Sequence, residues 1–278
     1  MPSPSTSLQL CSPGRGLSCF ACCPPIRPAG YDHLADRSSW RRFFSDNRAA
    51  FLRGELPQRP ILGFFCPGLG FLDAAGRAVG CLYHPARNAG RDLRHATGYQ
   101  PKCARESCPE ARAFARLART DQERLLDLCA GLDAFAYGSR SANPVRRLLA
   151  HGPEAAAAGL GLGLTREGIA ALPWLAGPEA GPEALPVAWG WLVGRLALAQ
   201  GPEALLRPDL AAEVAELVAR LGRALGPASP LAHGRPDYGA CDEWEARFWR
   251  WLRPGGPANM ALTAGRAALA AALSLRNS

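Results

Sequence analysis

Ser18-Cys19-Phe20-Ala21-Cys22-Cys23-Pro24-Pro25 is the stretch from which the rest of this 278-residue chain is read. Two residues between Cys19 and Cys22 let one backbone turn aim both sulfurs at a common point, the spacing that recurs in zinc and iron–sulfur sites. The doublet Cys22-Cys23 adds a constraint, because neighbouring side chains of an extended chain point in opposite directions. Its sulfurs either feed two sites, or one is a ligand and the other a thiol outside the site. Cys11, Cys66, Cys81, Cys103 and Cys108 follow the same half of the chain, so eight of the ten cysteines precede residue 109.

A chain of this length buries a substantial core without disulfides, so the cysteines are not needed merely to hold it together. Charge is divided unevenly. Residues 1–150 carry 21 Lys+Arg against 12 Asp+Glu, a balance of +9, whereas residues 151–278 carry 11 against 12. Four thiolates around a divalent metal leave a residual charge of about −2, which arginines could offset. A solvated basic surface and a polyanion-binding surface are the other readings of that excess. Met1–Leu10 lacks a basic segment followed by an apolar stretch, so no targeting signal is read and a reducing, cytoplasmic setting is expected. There, clustered cysteines bind metal more often than they pair.

After Pro24, Pro25 and Pro28, residues 34–52 read as a helix whose apolar residues are Trp40, Phe43, Phe44, Phe51 and Leu52, with Ser45-Asp46-Asn47 as a place where it could break. Residues 61–66 and 78–83 read as two strands joined through Asp73–Arg77, with the turn centred near residues 74–75. That pairing brings Cys66 and Cys81 together, since paired strands lie ~5 Å apart. His84, next to Cys81, is either a substitute ligand or a hydrogen-bonded loop residue. Residues 88–100 read as loop. Cys103 and Cys108 fit a loop that enters a helix at Pro109, with Cys108 as its N-cap. The helix running to Tyr137 restarts at Thr120, whose Thr-x-x-Glu pattern forms a capping box. Cys129 falls on its buried stripe as a core residue.

Beyond residue 150 the texture becomes alanine-rich helix separated by Gly-Pro steps. Gly-Pro-Glu-Ala recurs at 152, 177, 181 and 201, each read as a helix start with Pro at the first helical position. Helices are expected over 165–175, 183–200, 208–225, 238–252 and 258–275. Residues 184–199 are apolar nearly all round, yet Pro186, Arg195 and the short length fall below the ~20 residues of a membrane span. Trp244, Phe248, Trp249, Trp251 and Leu252 form an aromatic cluster, and Cys241 stands alone before it. The expected fold is mainly α: a cysteine-rich, irregular metal-binding domain with a small β-hairpin over residues 1–110, then an α-helical domain over 111–278.

The cysteine layout of residues 11–110 resembles the bacterial zinc- or iron-chelating domains named for a CxxCxxxCC-type N-terminal motif. Matching residues are Cys19, Cys22 and Cys23, then Cys66, then Cys81-Leu82-Tyr83-His84-Pro85, then Cys103 and Cys108. The present chain departs by reading Cys19-x2-Cys22-Cys23, with no residues intervening before the doublet, and Cys11 stands upstream as a candidate for the missing thiol. The resemblance implies metal binding and little more.

Cys11, Cys19, Cys22, Cys23, Cys66, Cys81, Cys103 and Cys108 are thus the candidate metal ligands, for zinc or an iron–sulfur cluster; thiolate spacing overlaps between the two. No G-x-S-x-G, P-loop, H-E-x-x-H or dinucleotide fingerprint competes. Two other functions stay open at this level. One is a cluster-dependent enzyme or maturation factor with its substrate pocket against the helical half, working with a protein partner. The other is a nucleic-acid-binding module built on the Arg-rich half.

Overall fold

The computed structural model describes residues 8–20, 34–35, 37–56, 66–105, 107–175, 187–225, 242–252 and 259–274. The chain is mainly helical, with one small antiparallel sheet, and divides into two compact units, Met1–Arg146 and Arg147–Ser278. The first unit therefore extends past the division expected at residue 110. The reason is chemical: Glu110, Tyr137, Arg140 and Arg146 bond to each other or to the cysteine-bearing segments before them.

In the first unit, helix α1 (Arg37–Leu52) buries Trp40 and Phe44. No break occurs at residues 45–47. The side chain of Asn47 donates to the carbonyls of Cys66 and Leu69 at 3.3 and 2.8 Å instead of competing with the helix backbone. Strands β1 (Leu69–Phe71) and β2 (Val79–Cys81) pair antiparallel, with Leu69 opposite Cys81 and Phe71 opposite Val79. The register centres the turn at residue 75, next to the expected position, but the first strand starts later than expected. Cys66 lies in the turn before it, its carbonyl accepting from Leu69 N at 3.1 Å, and residues 57–65 lie outside the described set. Gly70 lets α1 approach this strand, since a Cβ there would stand 3.1 Å from Phe44 O.

Phe44 is the centre of the first unit's core, with Phe20, Phe71 and Phe135 around it at ring distances of 5.2, 5.5 and 5.9 Å. Phe20 and Phe71 meet Phe44 edge to face, an arrangement that adds to what burial alone contributes. Ser18 Oγ, buried, accepts from Val79 N at 2.8 Å and so satisfies the outer edge of β2. Residues 85–87 and 94–97 form 3-10 turns within the expected loop. Cys103 lies on a short helix, α2 (Gln100–Arg105), and not in a loop.

Helix α3 (Pro109–Arg116) opens as expected, with Cys108 at the N-cap in an extended conformation and Pro109 at the first helical position. The next helix, α4 (Arg119–Leu128), has Ala118 at its N-cap position, two residues ahead of the expected Thr120 box. Gln122 explains the shift: its amide donates to the carbonyls of Phe114 and Leu117 at 3.0 and 3.2 Å, tying α4 to the end of α3. Glu123 pairs with Arg119 instead of closing a box. Asp133 caps α5 (Ala134–Gly138), accepting from Ala136 N at 2.9 Å. Asn143 caps α6 (Pro144–Ala150) through Val145 N, and the chain passes from one unit to the next within this helix.

In the second unit, α7 (Pro153–Gly161) begins with Pro153 at its first position, as the Gly-Pro-Glu-Ala reading expects. The copy at 201 opens a 3-10 turn (Pro202–Leu206), and those at 177 and 181 lie outside the described residues. The helix expected over 165–175 is instead α8 (Arg166–Ala170), capped by Thr165, followed by a 3-10 turn (Pro173–Leu175). Pro173 has no N–H with which to continue the α ladder. Helix α9 (Gly190–Gln200) follows a 3-10 turn at Val187–Trp189 and is the central buried helix, packed on α7. Helices α10 (Leu210–Leu225), α11 (Glu243–Leu252) and α12 (Asn259–Ser274) complete the unit. Trp191 packs on Phe248 and Trp249 at 5.5 and 5.7 Å, so the aromatic cluster is core, apart from the exposed Trp251. Among the described residues no helix is long and apolar enough to cross a membrane.

Candidate metal centre

The sequence separates the N-terminal cysteines widely, and the first unit gathers the described ones into two groups. Residues 11–19 turn back on themselves: Leu17 N donates to Gly14 O and Cys19 N donates to Cys11 O, both at 2.9 Å. Tyr137 fastens this turn to the core by donating its hydroxyl to Leu10 O at 2.7 Å. Into the same place the cap of α3 brings Cys108, and α6 brings Arg146.

Arg146 is the residue around which this first group is arranged. Its side chain is 2% exposed, yet it donates from Nη1 to Cys19 Sγ at 3.0 Å and from Nη2 to Cys108 Sγ at 3.5 Å. Glu110 Oε2 lies 3.9 Å from Nη2, and the other oxygen of that buried carboxylate accepts from Arg140. Burial works against the Arg146 charge, but Cys19, Glu110 and Cys108 outweigh it and hold the guanidinium above its usual range. Burial alone would likewise raise the Glu110 carboxyl; the hydrogen bond from Arg140 and the charges of Arg146 and Arg140 pull it below its usual value. Two guanidinium charges thus face one carboxylate, which leaves the pocket with one positive charge that thiolate sulfur can balance. Tyr137 is raised first by burial and then by Cys129 and Cys19, so it stays a neutral donor.

The second group is Cys66, Cys81 and Cys103, one from the turn before β1, one from the end of β2 and one from α2. They lie near enough for their charges to repel one another. Burial pushes the Cys66 thiol up to about 12, with Cys81 and Cys103 adding to the rise against backbone hydrogen bonds from Gly68 and Leu69. Cys81 is also raised, chiefly by burial, with the Arg94 charge opposing. Arg94 is held by Asp92 through Nε and Nη2 at 2.8 and 2.7 Å, and its Nη1 donates to Cys103 O at 3.0 Å. The expected cross-strand pairing of Cys66 with Cys81 is not formed, since Leu69 faces Cys81 and Cys66 lies in the turn before the strand, but the thiols of Cys66, Cys81 and Cys103 influence one another's charge.

The remaining candidates fall out differently. His84 serves the loop: its Nδ1 accepts from Ala86 N at 3.2 Å and starts the 3-10 turn at Pro85. Cys129 is buried beside Asn143, whose Nδ2 lies 3.5 Å from the sulfur, as expected for a core residue. Cys22, Cys23 and Cys241 lie outside the described residues. None of the described cysteines is in a disulfide, and among the described residues no three Cys, His, Asp or Glu side chains converge tightly enough to hold a metal ion. A buried guanidinium aimed at two sulfurs favours their anionic form over the neutral one.

Arg146, Glu110, Arg94, Asp92 and Tyr137 are the site residues that sequence reasoning passed over. The one signal for Arg146 is an Arg pair inserted in the otherwise apolar run Val145–Ala150. No family model, curated protein or solved structure matches the chain.

Proposed function

We propose that this protein binds zinc or an iron–sulfur cluster through thiolates, with Cys11, Cys19, Cys22, Cys23, Cys66, Cys81, Cys103 and Cys108 as the ligand set. The observation that carries the reading is the buried Arg146 guanidinium donating to the sulfurs of Cys19 and Cys108. Hydrogen bonds from outside the coordination shell fix ligand orientation and strengthen the ligand field, and a charged donor does so most when desolvated. The two thiol groups support a pair of centres, and the doublet Cys22-Cys23 offers one further sulfur to each. When bound, the metal would supply either a structural cross-link or a one-electron couple.

Anaerobic purification followed by elemental analysis and a visible spectrum tests this directly. About one zinc per centre, or about two or four irons per cluster, is the expected result, with absorbance near 400 nm for an iron–sulfur cluster and none for zinc. Protein that is folded, reduced and persistently devoid of both metals after reconstitution would sink the proposal.

A further inference from the structure

The arginines of α1 are not all used in the same way. Arg37, at its start, pairs with Asp133, and Arg53, just past its end, pairs with Glu55. Arg41, Arg42 and Arg48 make no ion pair with any of the described residues. Of these three, Arg41 and Arg48 stand two turns apart on one face of the helix with Ser45 between them, at i, i+4 and i+7. That face lines an open groove of about 330 Å³, whose opposite wall is Phe71 and the turn Asp73–Gly76. Each guanidinium is positioned by a neutral partner: Arg41 lies over the Phe71 ring, 5.3 Å from its centroid, and Arg48 Nη1 donates to Phe71 O at 3.3 Å. Both side chains are therefore oriented without having their charge cancelled. Asp73 is the only acid among the lining residues, and its two oxygens accept from Arg77 N and Ala78 N at 3.2 and 2.7 Å, so it is engaged in holding the turn. At the Arg48 end the groove becomes apolar, with the exposed Ala49 and Leu52 at its rim.

We propose that this groove binds a small phosphate monoester, with the phosphate between Arg41 and Arg48, the Ser45 hydroxyl donating to it, and the organic body over Ala49 and Leu52. A phosphate offers three terminal oxygens, enough for two guanidinium groups to share, whereas a carboxylate is filled by one arginine fork. Two guanidinium charges against the one carboxylate of Asp73 leave an excess positive charge for the ligand to meet. The volume is at the small end of the range for ligand sites, which suits a phosphorylated metabolite and not an extended chain. No cysteine lines the groove, so this site and the metal-binding reading stand or fall separately.

The test titrates phenyl phosphate into the full, reduced chain by calorimetry at low ionic strength, where exposed charges are least screened. One equivalent should bind in the millimolar range or tighter. Benzoate, the same ring carried on a carboxylate, should bind at least about 10-fold more weakly. Arg41→Gln and Arg48→Gln should each weaken phenyl phosphate by roughly 10–100-fold, the usual effect of losing charged hydrogen bonds. Arg42→Gln removes the same charge from the next position, outside the groove, and should change the affinity by less than about twofold. Ala74→Glu, on the exposed turn, puts a second carboxylate into the groove and should abolish binding; with Arg41→Gln it carries the test if Arg48→Gln, which also loses its bond to Phe71 O, does not fold. Absence of saturable binding, equal affinity for benzoate, or equal losses in Arg41→Gln and Arg42→Gln overturns the proposal. So does a single-stranded RNA oligonucleotide that binds more tightly than phenyl phosphate and is weakened alike by all three arginine changes, since that result assigns the arginines to a polyanion surface and not to a groove.

Discussion

The Arg146 guanidinium lies 3.0 Å from the sulfur of Cys19, a residue 127 positions earlier in the chain. That single contact joins the first segment of the first unit to its last. Replacing Arg146 with Met leaves Glu110 with Arg140 alone and two sulfurs without their donor, so the metal-free, reduced protein should lose about 3 kcal/mol of stability. The urea midpoint reads the loss; a change under about 0.5 kcal/mol would mean the buried charge contributes no net stabilisation.

The Cys66 thiol supplies a pH prediction. Its folded value, raised by burial to about 12, lies above the ordinary thiol range, so its contribution to stability is present in full below the unfolded value of roughly 8.5. That contribution is lost as pH rises through the folded value, because the unfolded chain gives up its proton first. Metal-free protein should therefore lose stability between about pH 8.5 and 12, and Cys66→Ala should flatten that slope. At pH 8, alkylation followed by mass spectrometry should find Cys66 reacting more slowly than an unfolded-state thiol; equal rates would refute the buried, protonated thiol.

Packing in the second unit separates two glycines that look alike in sequence. A Cβ on Gly190 would stand 2.1 Å from His151 O and 2.4 Å from its Cα, so α9 must move bodily to accept one. Gly190→Ala should cost about 3 kcal/mol. Gly222, on the exposed side of α10, has nothing within 4 Å of its Cβ position. Gly222→Ala should instead stabilise by about 0.5–1 kcal/mol through helix propensity. Thermal melts of the two variants should move in opposite directions.

The doublet makes a prediction about stoichiometry. If Cys22 and Cys23 each serve a different centre, Cys22→Ser and Cys23→Ser should each lower the metal content and the double variant should lower it further. Unchanged stoichiometry in either single variant would show that the doublet does not link two centres.

Metal removal should act locally. The segments that carry the thiols are turns, two three-residue strands and a six-residue helix, too short to order themselves without cross-links. A chelator should raise amide hydrogen exchange in residues 66–105 before it does so in α9 and α10. Simultaneous loss of protection in both units would argue against a separately metal-dependent region.

Much of the architecture is legible in the sequence because it rests on local signals. Proline at the first helical position marks α3 and α7, and the turn near residue 75 follows from two apolar runs around a polar loop. The start of α4 was not legible, because it is set by Gln122 reaching back to Phe114 and Leu117, a contact no spacing rule encodes. The cysteines announce themselves as candidate ligands, but their division into groups depends on tertiary closure. So does the role of Arg146: a periodic pattern places an arginine at the surface, and only the enclosing sulfurs and Glu110 make a buried one tolerable.

The long span between Cys19 and Arg146 also has a meaning in time. Chains are made from the N-terminus at about 5–20 residues per second. The 127 residues that separate these partners therefore take roughly 6–25 s to add, during which Cys19 exists without the arginine that later donates to its sulfur. Through that interval the earliest thiols are nascent-chain nucleophiles, open to oxidation or to capture of the wrong ion. The folded unit therefore governs the chemistry of the Cys19 sulfur only once residue 146 has been added.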